Sequence, residues 1–325
     1  MQRCLSLLFL LLPVADSTSQ KGAAHVPEWF VAEAAEDDAN PFPSWFANRL
    51  PQKDHQRRAQ KWSQYVKPYH RHLHKFRGKQ VNMLEMGVQS GGSMHMWLDY
   101  FGSQARVFGL DVDNAVRVVE QDRTSQTGTN ITGRIKVFTG DQGDPDFLRS
   151  LCTKIGRIDF IIDDASHIPW HQILGLEMLF PCLNPAGGVY MVEDLTDEKI
   201  AKAGAPANES MLAYAYARAL DVQMLPDEAG QAQKLRNIKS AQSPWQSSLE
   251  SVSFYGSLIA FEKTSQRHAF NLDAGKVIIP KKTIAFVGVS REQAQKRASE
   301  LAGQPDFWQP APTTHPHAHA QSHHP

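Results

Sequence analysis

The fold of this chain is decided by one segment, Leu84-Glu85-Met86-Gly87-Val88-Gln89-Ser90-Gly91-Gly92-Ser93. The segment ends an apolar run, turns through glycines and opens a helical pattern, which is typical of a strand-to-helix turn in an α/β sheet. Glycines in such a turn let a ligand approach the backbone, and the helix N-terminus can receive a negatively charged group. Their spacing differs from the Gly-x-Gly-x-x-Gly pattern of dinucleotide-binding proteins. Taken alone, the segment fits a tight turn without a ligand equally well.

Downstream of this turn, short apolar runs alternate with helical patterns to about residue 220, which predicts a parallel sheet with crossover helices. The predicted strands are 81–86, 107–111, 135–139, 158–163 and 188–192, and the predicted helices lie near 92–101, 114–123, 144–154 and 169–181. Two β runs around Gly256 predict a closing antiparallel hairpin. The predicted fold class is therefore α/β, with a mostly parallel sheet, helices on both faces and a terminal antiparallel hairpin.

Two acidic pairs follow predicted strands: Asp163-Asp164 after residues 158–162, and Glu193-Asp194 after residues 188–192. Neighbouring strands lie about 5 Å apart, so the two pairs can converge on one divalent cation if their strands are neighbours. His167 follows the first pair within one turn and is a candidate base. A lone acidic pair is more often a helix cap than a ligand. Two pairs beside a histidine favour a catalytic metal site.

Polar residues also follow the second and third predicted strands. Asp111 comes about 20 residues after the glycines, where a carboxylate can accept the hydroxyls of a ribose. Asp141 and Gln142 follow the third strand and offer polar groups for an adenine edge. Ligands of open α/β sheets bind outside the carboxyl ends of the strands, and all these residues fall on that edge. Asp144 is instead interpreted as a helix cap.

The residues Glu85, Gly87 and Gly91 after the first strand, with Asp111 after the second, resemble the cofactor pattern of class I S-adenosylmethionine-dependent methyltransferases. The resemblance covers roughly residues 80–195, with weaker support to about 264. It implies a Rossmann-like fold and S-adenosyl-L-methionine as cofactor. The implied cofactor-binding residues are Glu85, Gly87, Gly91, Ser93, Asp111, Asp141 and Gln142.

The stretches 163–167 and 187–195 resemble, more narrowly, the metal-dependent sugar O-methyltransferases of the macrocin and mycinamicin type and their cephalosporin hydroxylase-like relatives. This resemblance implies that Asp164, Glu193 and Asp194 bind Mg²⁺ and that His167 is the general base. Ala165 stands where the family usually has glycine. The implied reaction is Mg-dependent O-methylation of a hydroxyl on a sugar or glycosylated natural product, and homo-oligomers are common in the family.

Two other functions remain open at the level of sequence. Asp164, His167 and His171 could supply the carboxylate and two histidines of a non-haem iron oxygenase. That hypothesis leaves Glu193, Asp194 and the glycine turn without a role. The second alternative is a secreted binding module that kept the fold and lost catalysis.

Composition and the chain ends set the remaining expectations. The chain has 325 residues, with 34 basic and 34 acidic side chains, so its charge gives no reason to expect a nucleic acid or an anionic membrane as partner. Residues 1–19 have the layout of a secretory signal, which predicts the secretory pathway or the extracellular space, or a plastid route in an alga. A cytosolic destination stays open, and no segment is predicted to span a membrane.

The predicted organisation has five parts: the signal 1–19, an irregular arm 20–52, a methyltransferase domain 53–264, an extension 265–308 and a disordered Pro/His-rich tail 309–325. Within the domain, residues 198–248 are a candidate cap over the site. Apolar spacing predicts one helix over 54–76, kinked or divided at Pro68, with a solvated basic face that includes Arg57 and Lys61. For Cys152 and Cys182, two free thiols are favoured over one bridge.

Overall fold

The computed structural model describes residues 40–49, 57–195, 210–223 and 244–265, together with residues 292, 293 and 296. Its centre is one seven-stranded sheet with the order β3-β2-β1-β4-β5-β7-β6. The strands are β1 (Asn82–Met86), β2 (Arg106–Asp111), β3 (Ile135–Thr139), β4 (Phe160–Asp163), β5 (Val189–Val192), β6 (Leu249–Tyr255) and β7 (Leu258–Lys263). Strands β1 to β5 pair in parallel, whereas β7 pairs antiparallel with both β5 and β6. The α/β fold class and the closing hairpin are therefore confirmed.

The central strands are buried on both faces, which explains why they appear as continuous apolar runs in the sequence. Successive side chains of a strand point to opposite faces. Thus Met83 and Phe160 enter one apolar cluster, while Leu84 and Ile161 enter the other. Both clusters consist of buried side chains. The carboxyl ends of all five parallel strands lie on one edge of the sheet. Residues that follow β1, β2, β4 and β5 therefore meet at that edge.

The helices lie at α1 (Phe42–Ala47), α2 (Val66–Leu73), α3 (Gly92–Phe101), α4 (Pro145–Ile155), α5 (Pro169–Leu179), α6 (Met211–Gln223) and α7 (Pro244–Ser248). Among the described residues, four 3₁₀ segments accompany them: Ser63–Tyr65, His74–Phe76, Asn114–Gln121 and Phe180–Cys182. The predicted helix at 114–123 is thus a 3₁₀ segment. Asp144 caps α4 as predicted, because its side chain accepts the backbone N–H groups of Asp146 and Phe147.

Two predictions for the N-terminal region are wrong. The irregular arm contains helix α1, whose Phe42 is buried and stacks on Tyr100 with ring centroids 4.2 Å apart. Of the helix expected over 54–76, residues 54–56 lie outside the described residues, residues 57–62 run without helical structure, and helical structure begins at Ser63. Pro68 lies in the first turn of α2, where backbone N–H groups have no intrahelical partner, so it neither kinks nor divides this helix.

Cys152 and Cys182 form a disulfide, with Cα atoms 5.6 Å apart, so the expectation of two free thiols is wrong. Cys152 lies near the end of α4, and Cys182 ends the 3₁₀ segment after α5. Helices α4 and α5 pack side by side on the same face of the sheet, and this arrangement brings the two cysteines within bridging distance. The sequence does not reveal the bridge because it depends on that packing.

The remaining organisation is described in part. Helix α6 packs on α5 and β6 rather than over the strand ends. Other parts of the candidate cap, at 198–209 and 224–243, lie outside the described residues, as do the signal 1–19 and the tail 309–325. The chain divides into two compact units, 1–270 and 271–325, and only residues 292, 293 and 296 of the second are described.

No helix among the described residues is long and apolar enough to cross a membrane.

Candidate active site

A cleft of about 600 Å³ lies at the carboxyl edge of the parallel strands. One wall is formed by residues 58–62, which belong to the segment 57–62 that we call the strap. The opposite side is formed by the glycine turn and by residues that follow β2, β4 and β5. The lining residues outside the strap are Gly87, Val88, Gln89, Ser90, Ser93, Asp111, Asp113, Val116, Asp164, Ala165, His167, Glu193 and Asp194.

The glycine turn brings the ends of β1 and β4 together. Gly87 has a φ of 91°, and a Cβ atom there would overlap the backbone carbonyl of Asp164. Asp111 holds the same turn from the other side, since Oδ2 accepts the N–H groups of Val88 at 2.9 Å and Gln89 at 3.1 Å. Oδ1 of Asp111 accepts the N–H of Asp113 at 2.9 Å. A carboxylate has about four acceptor positions, so Asp111 keeps roughly one for a ligand hydroxyl.

The two acidic pairs lie side by side, as predicted. Strands β4 and β5 are parallel neighbours in which Asp163 pairs with Val192, and the N–H of Glu193 donates to the carbonyl of Asp163 at 2.9 Å. The four acidic side chains nevertheless differ in their surroundings. Asp163 points into the buried layer, where Gln142 Nε2 donates to it at 2.7 Å, and burial raises its pKa to about 7. Asp164, Glu193 and Asp194 line the cleft.

A group of three side chains can hold a cation: Asp164, His167 and Asp194, each offering one ligand atom within 4.8 Å of the others. Nε2 of His167 lies 3.9 Å from Oδ1 of Asp164 and 3.8 Å from Oδ2 of Asp194. Carboxylate oxygens with one imidazole nitrogen suit a divalent cation, so the residues present fit the metal that the resemblance implies. His167 is close enough to both acids to serve either as ligand or as base.

Lys61 is the residue that sequence reasoning missed. Its Nζ lies 2.6 Å from Oδ2 of Asp164 and 3.0 and 3.2 Å from the two oxygens of Glu193. The side chain is 2% exposed, so its assignment to a solvated basic face is wrong. Burial alone would lower the pKa of Lys61, but the carboxylates of Glu193, Asp164 and Glu85 raise it above its ordinary value. Lys61 is therefore an ammonium ion inside the acidic site.

Glu193 and Glu85 are the two buried glutamates next to this ammonium ion. The Tyr69 hydroxyl donates to Oε1 of Glu193, and burial raises the pKa of this carboxyl, although Lys61 acts in the opposite direction. Glu85 is fully buried and accepts the indole N–H of Trp97 at 3.3 Å. Burial raises the pKa of Glu85 to about 7. Glu85 is not among the residues that line the cleft, and its side chain contacts Trp97 and Lys61, so its cofactor contact stays a prediction.

The strap is fastened at both ends. At its start, the guanidinium of Arg57 makes a bidentate ion pair with Asp122, which also contacts His95 Nε2 at 2.9 Å. In its middle, the backbone of Arg58 lies so close to Gly92 that a Cβ atom on this glycine would overlap it. At its end, the indole N–H of Trp62 donates to Oδ1 of Asp194 at 3.1 Å. No local signal marks these contacts, since their partners lie 65 and 132 residues away.

A second pocket of about 260 Å³ adjoins the cleft, and Gly87, Asp111 and Ala165 line both. Asp141 and Gln142 border this pocket, and their contact with an adenine stays a prediction. Both ends of the Gln142 amide are engaged, however: Nε2 donates to Asp163, and Oε1 accepts the Ser166 hydroxyl at 2.9 Å. His171 also borders this pocket, and its Nδ1 contacts the Ser166 hydroxyl at 2.9 Å.

The placement of His171 bears on the oxygenase hypothesis. That hypothesis needs His171 beside Asp164 and His167, but within the described part of the chain these two residues are grouped with Asp194 instead. No feature of the described residues favours an iron site built on His171. The acidic cluster therefore fits the methyltransferase resemblance better than the oxygenase.

No protein-family model matches the chain. Over 138 residues it is 38% identical to the 8-demethyl-8-alpha-L-rhamnosyl tetracenomycin-C 2'-O-methyltransferase of Streptomyces olivaceus, covering 40% of this chain and 33% of that protein. It is 35% identical over 134 residues to demethylmacrocin O-methyltransferase of Streptomyces fradiae, covering 39% and 30%. The chain thus spans about a third of the length of the curated relatives it matches.

Among solved structures, the chain is similar to a methyltransferase of the mycinamicin biosynthetic pathway that was determined in complex with Mg, SAH and mycinamicin VI. The identity is 22% and the TM-score 0.51, with 72% of this chain and 54% of the other covered. This similarity supports the fold. The chain therefore has a Rossmann-like methyltransferase fold, and its matched stretch is homologous to sugar O-methyltransferases of macrolide and tetracenomycin pathways.

Proposed function

We propose that this protein is an S-adenosylmethionine-dependent, Mg-dependent O-methyltransferase that acts on a hydroxyl of a sugar or glycosylated natural product. The observation that carries the proposal is the convergence of Asp164, His167 and Asp194 in a cleft that also contains the glycine turn and Asp111. The names of the relatives support the reaction class and the glycosidic substrate.

The cofactors would supply a sulfonium methyl group and a cation that acidifies the reacting hydroxyl. In the reaction, a C–O bond forms as the methyl C–S bond breaks, and the sulfur keeps the electron pair of that bond. His167 would accept the hydroxyl proton at Nε2, the nitrogen that faces both acids. Asp164 and Asp194, with Glu193 beside them, would hold the cation. Asp111 would orient the cofactor through its remaining acceptor position.

The experiment is a calorimetric titration with S-adenosylmethionine, with and without Mg²⁺, followed by a methyl-transfer assay on glycosylated hydroxyl compounds. The variants are Asp164→Ala and Asp194→Ala, with Asp146→Ala on the exposed first turn of α4 as control. We expect cofactor binding in all proteins and Mg-dependent transfer only in the wild type and the control. Ligand binding without any transfer, unaffected by His167→Ala, would favour the non-catalytic binding module.

We also propose a destination in the secretory pathway. The Cys152–Cys182 disulfide supports this proposal, because disulfides persist in oxidising compartments. A fluorescent fusion that carries only residues 1–25 tests it, since a diffuse cytosolic signal would contradict the proposal.

A further inference from the structure

Lys61 already occupies part of the site that the metal needs. Three carboxylate oxygens, Oδ2 of Asp164 and both oxygens of Glu193, lie within 3.2 Å of its Nζ. The lysine side chain is 2% exposed, and Glu193 is equally buried. The ammonium ion therefore bridges the acidic residues that follow β4 and β5.

The contact of Lys61 with Asp164 and Glu193 divides the acidic site into a Lys61 side and a His167 side. Asp164 directs Oδ2 toward Lys61 and Oδ1 toward His167, whereas Asp194 lies on the His167 side. Glu193 lies entirely on the Lys61 side, since both of its oxygens contact Nζ. A cation bound by Asp164, Glu193 and Asp194 together would have to share oxygens with Lys61. Two positive ions in contact with the same buried oxygens repel each other strongly.

We propose that Lys61 is a built-in competitor of the divalent cation, and that Nζ must leave Asp164 and Glu193 before these residues and Asp194 bind the metal together. The inference rests on the divalent-cation part of the proposed function. It adds an internal cation, carried on the strap, whose departure is linked to metal binding.

The fastening of the strap restricts how Lys61 can leave. The Arg57 ion pair with Asp122 and the close approach of Arg58 to Gly92 hold the first half of the strap in place. Trp62 follows Lys61 and contacts Asp194, another acid of the site, through its 59% exposed side chain. The release of Nζ would therefore take place at residues 61 and 62 while Arg57 and Arg58 stay in place, and it would expose the Lys61 amine in the cleft.

The first test uses the wild-type protein and lysine acylation read by mass spectrometry. Without divalent cation, Lys61 should be protected, and Lys136, whose side chain is 50% exposed, should react readily. Titration with Mn²⁺ or Mg²⁺ should increase Lys61 acylation to a plateau and leave Lys136 unchanged. Protection of Lys61 that persists while calorimetry shows the metal bound would overturn the inference and leave the proposed function intact.

The second test compares Mn²⁺ binding by wild type, Lys61→Met and the control Lys136→Met. Methionine keeps most of the side-chain volume and removes the charge. We expect Lys61→Met to bind Mn²⁺ about tenfold more tightly or better, because a like charge is lost from the site, and Lys136→Met to match wild type within about twofold. Equal or weaker binding by Lys61→Met would overturn the inference.

The two failures can be told apart. Binding of Mn²⁺ by Lys61→Met alone would support competition by Lys61 but would overturn the metal part of the function proposed for the wild type. Absence of binding by both proteins would overturn the inference and the metal part of the proposed function, while S-adenosylmethionine binding is measured separately. Should Lys61→Met fail to fold, the acylation experiment on wild type decides the question.

Discussion

Nε2 of His167 lies 3.8 Å from Oδ2 of Asp194, and both residues have a φ of 57°. Left-handed backbone at a non-glycine residue costs on the order of 1–3 kcal/mol and persists where the surroundings enforce it. Here the two strained residues belong to neighbouring strand-end turns and direct their side chains at each other. The strain is thus concentrated where the candidate base meets the candidate ligands.

Replacement of His167 by alanine should remove the proton acceptor and leave the fold and the glycine turn in place. We expect turnover to fall by ~10²–10⁴-fold, with little change in S-adenosylmethionine affinity. Steady-state methyl transfer and calorimetry measure the two quantities. His74→Ala is the matched control, since His74 contacts backbone carbonyls of its own helical segment and the ring of His70, away from the cleft. Full turnover by His167→Ala would contradict the proposed role.

Replacement of Gly87 by alanine should separate the end of β1 from that of β4, because the new Cβ would overlap the Asp164 carbonyl. Gly128 is the matched control: it has a φ of 84°, but a Cβ there would contact nothing within 4 Å. We expect Gly128→Ala to lower the free energy of unfolding by about 1 kcal/mol and Gly87→Ala by about 3 kcal/mol or more. Urea denaturation measures both, and equal losses would show that the contact with Asp164 is unimportant.

Replacement of Asp122 by asparagine should loosen the strap, since it weakens the ion pair with Arg57 and the contact with His95. We expect faster amide hydrogen exchange in residues 57–62 and little change in the strands of the sheet. Exchange detected by mass spectrometry checks this. Asp146→Asn, on the exposed first turn of α4, should leave the strap unchanged. Unaltered protection of the strap in Asp122→Asn would show that Arg57 is not its fastening.

Glu262 predicts a pH dependence of stability. Its hydrogen bond with His72, with help from Lys75 at 2.9 Å, lowers its pKa from 4.5 to about 2. A lowered folded-state pKa stabilises the protein above the unfolded value, and this contribution is lost as pH falls from about 4.5 to about 2. Glu262→Gln should therefore be less stable than wild type at neutral pH, with a difference that shrinks across this window. Thermal unfolding at several pH values measures it, and exposed Glu250→Gln should show no such trend.

The disulfide closes a loop with a sequence separation of 30 residues. Loop-closure entropy predicts that Cys152→Ser with Cys182→Ser lowers the free energy of unfolding by roughly 3–4 kcal/mol. Reductant should destabilise the wild type by a similar amount and leave the double variant unchanged. Equal effects of reductant on both proteins would contradict a structural bridge.

The central sheet could be predicted from sequence because strands buried on both faces leave continuous apolar runs, and the glycine turn marks where the edge lies. The same logic placed Asp164, Glu193 and Asp194 together, since parallel neighbours end on one edge. The strap could not be predicted. In the sequence, Arg57 and Lys61 have the spacing of the basic face of a helix whose other face carries Trp62. In the structure, Arg57 pairs with Asp122 and Lys61 with Glu193. Tertiary contacts, which the local sequence does not encode, decide whether such a residue lies on a solvated face or in a buried ion pair.

The side-chain pairings within the site escaped prediction for a related reason. Gln142 is at the predicted strand end, yet its amide bonds Asp163 and Ser166, and nothing in its own neighbourhood of sequence specifies those partners. Glu85 follows the family pattern in sequence and is nevertheless buried against Trp97. The positions of the strand ends determine which residues come together. Burial and side-chain contacts determine which of these residues remain accessible to a ligand.

The contact between Lys61 and Glu193 joins residues 132 positions apart. The strap is synthesised before β5, but its contact with Glu193 cannot form until β5 has been made and has joined the sheet. Contacts of such high sequence separation form late in folding, because loop closure must come first. The ammonium ion would then enter an already assembled sheet and expel water from the carboxylates in the last step. A chain arrested before this step would have its strands paired and its acidic site open to solvent.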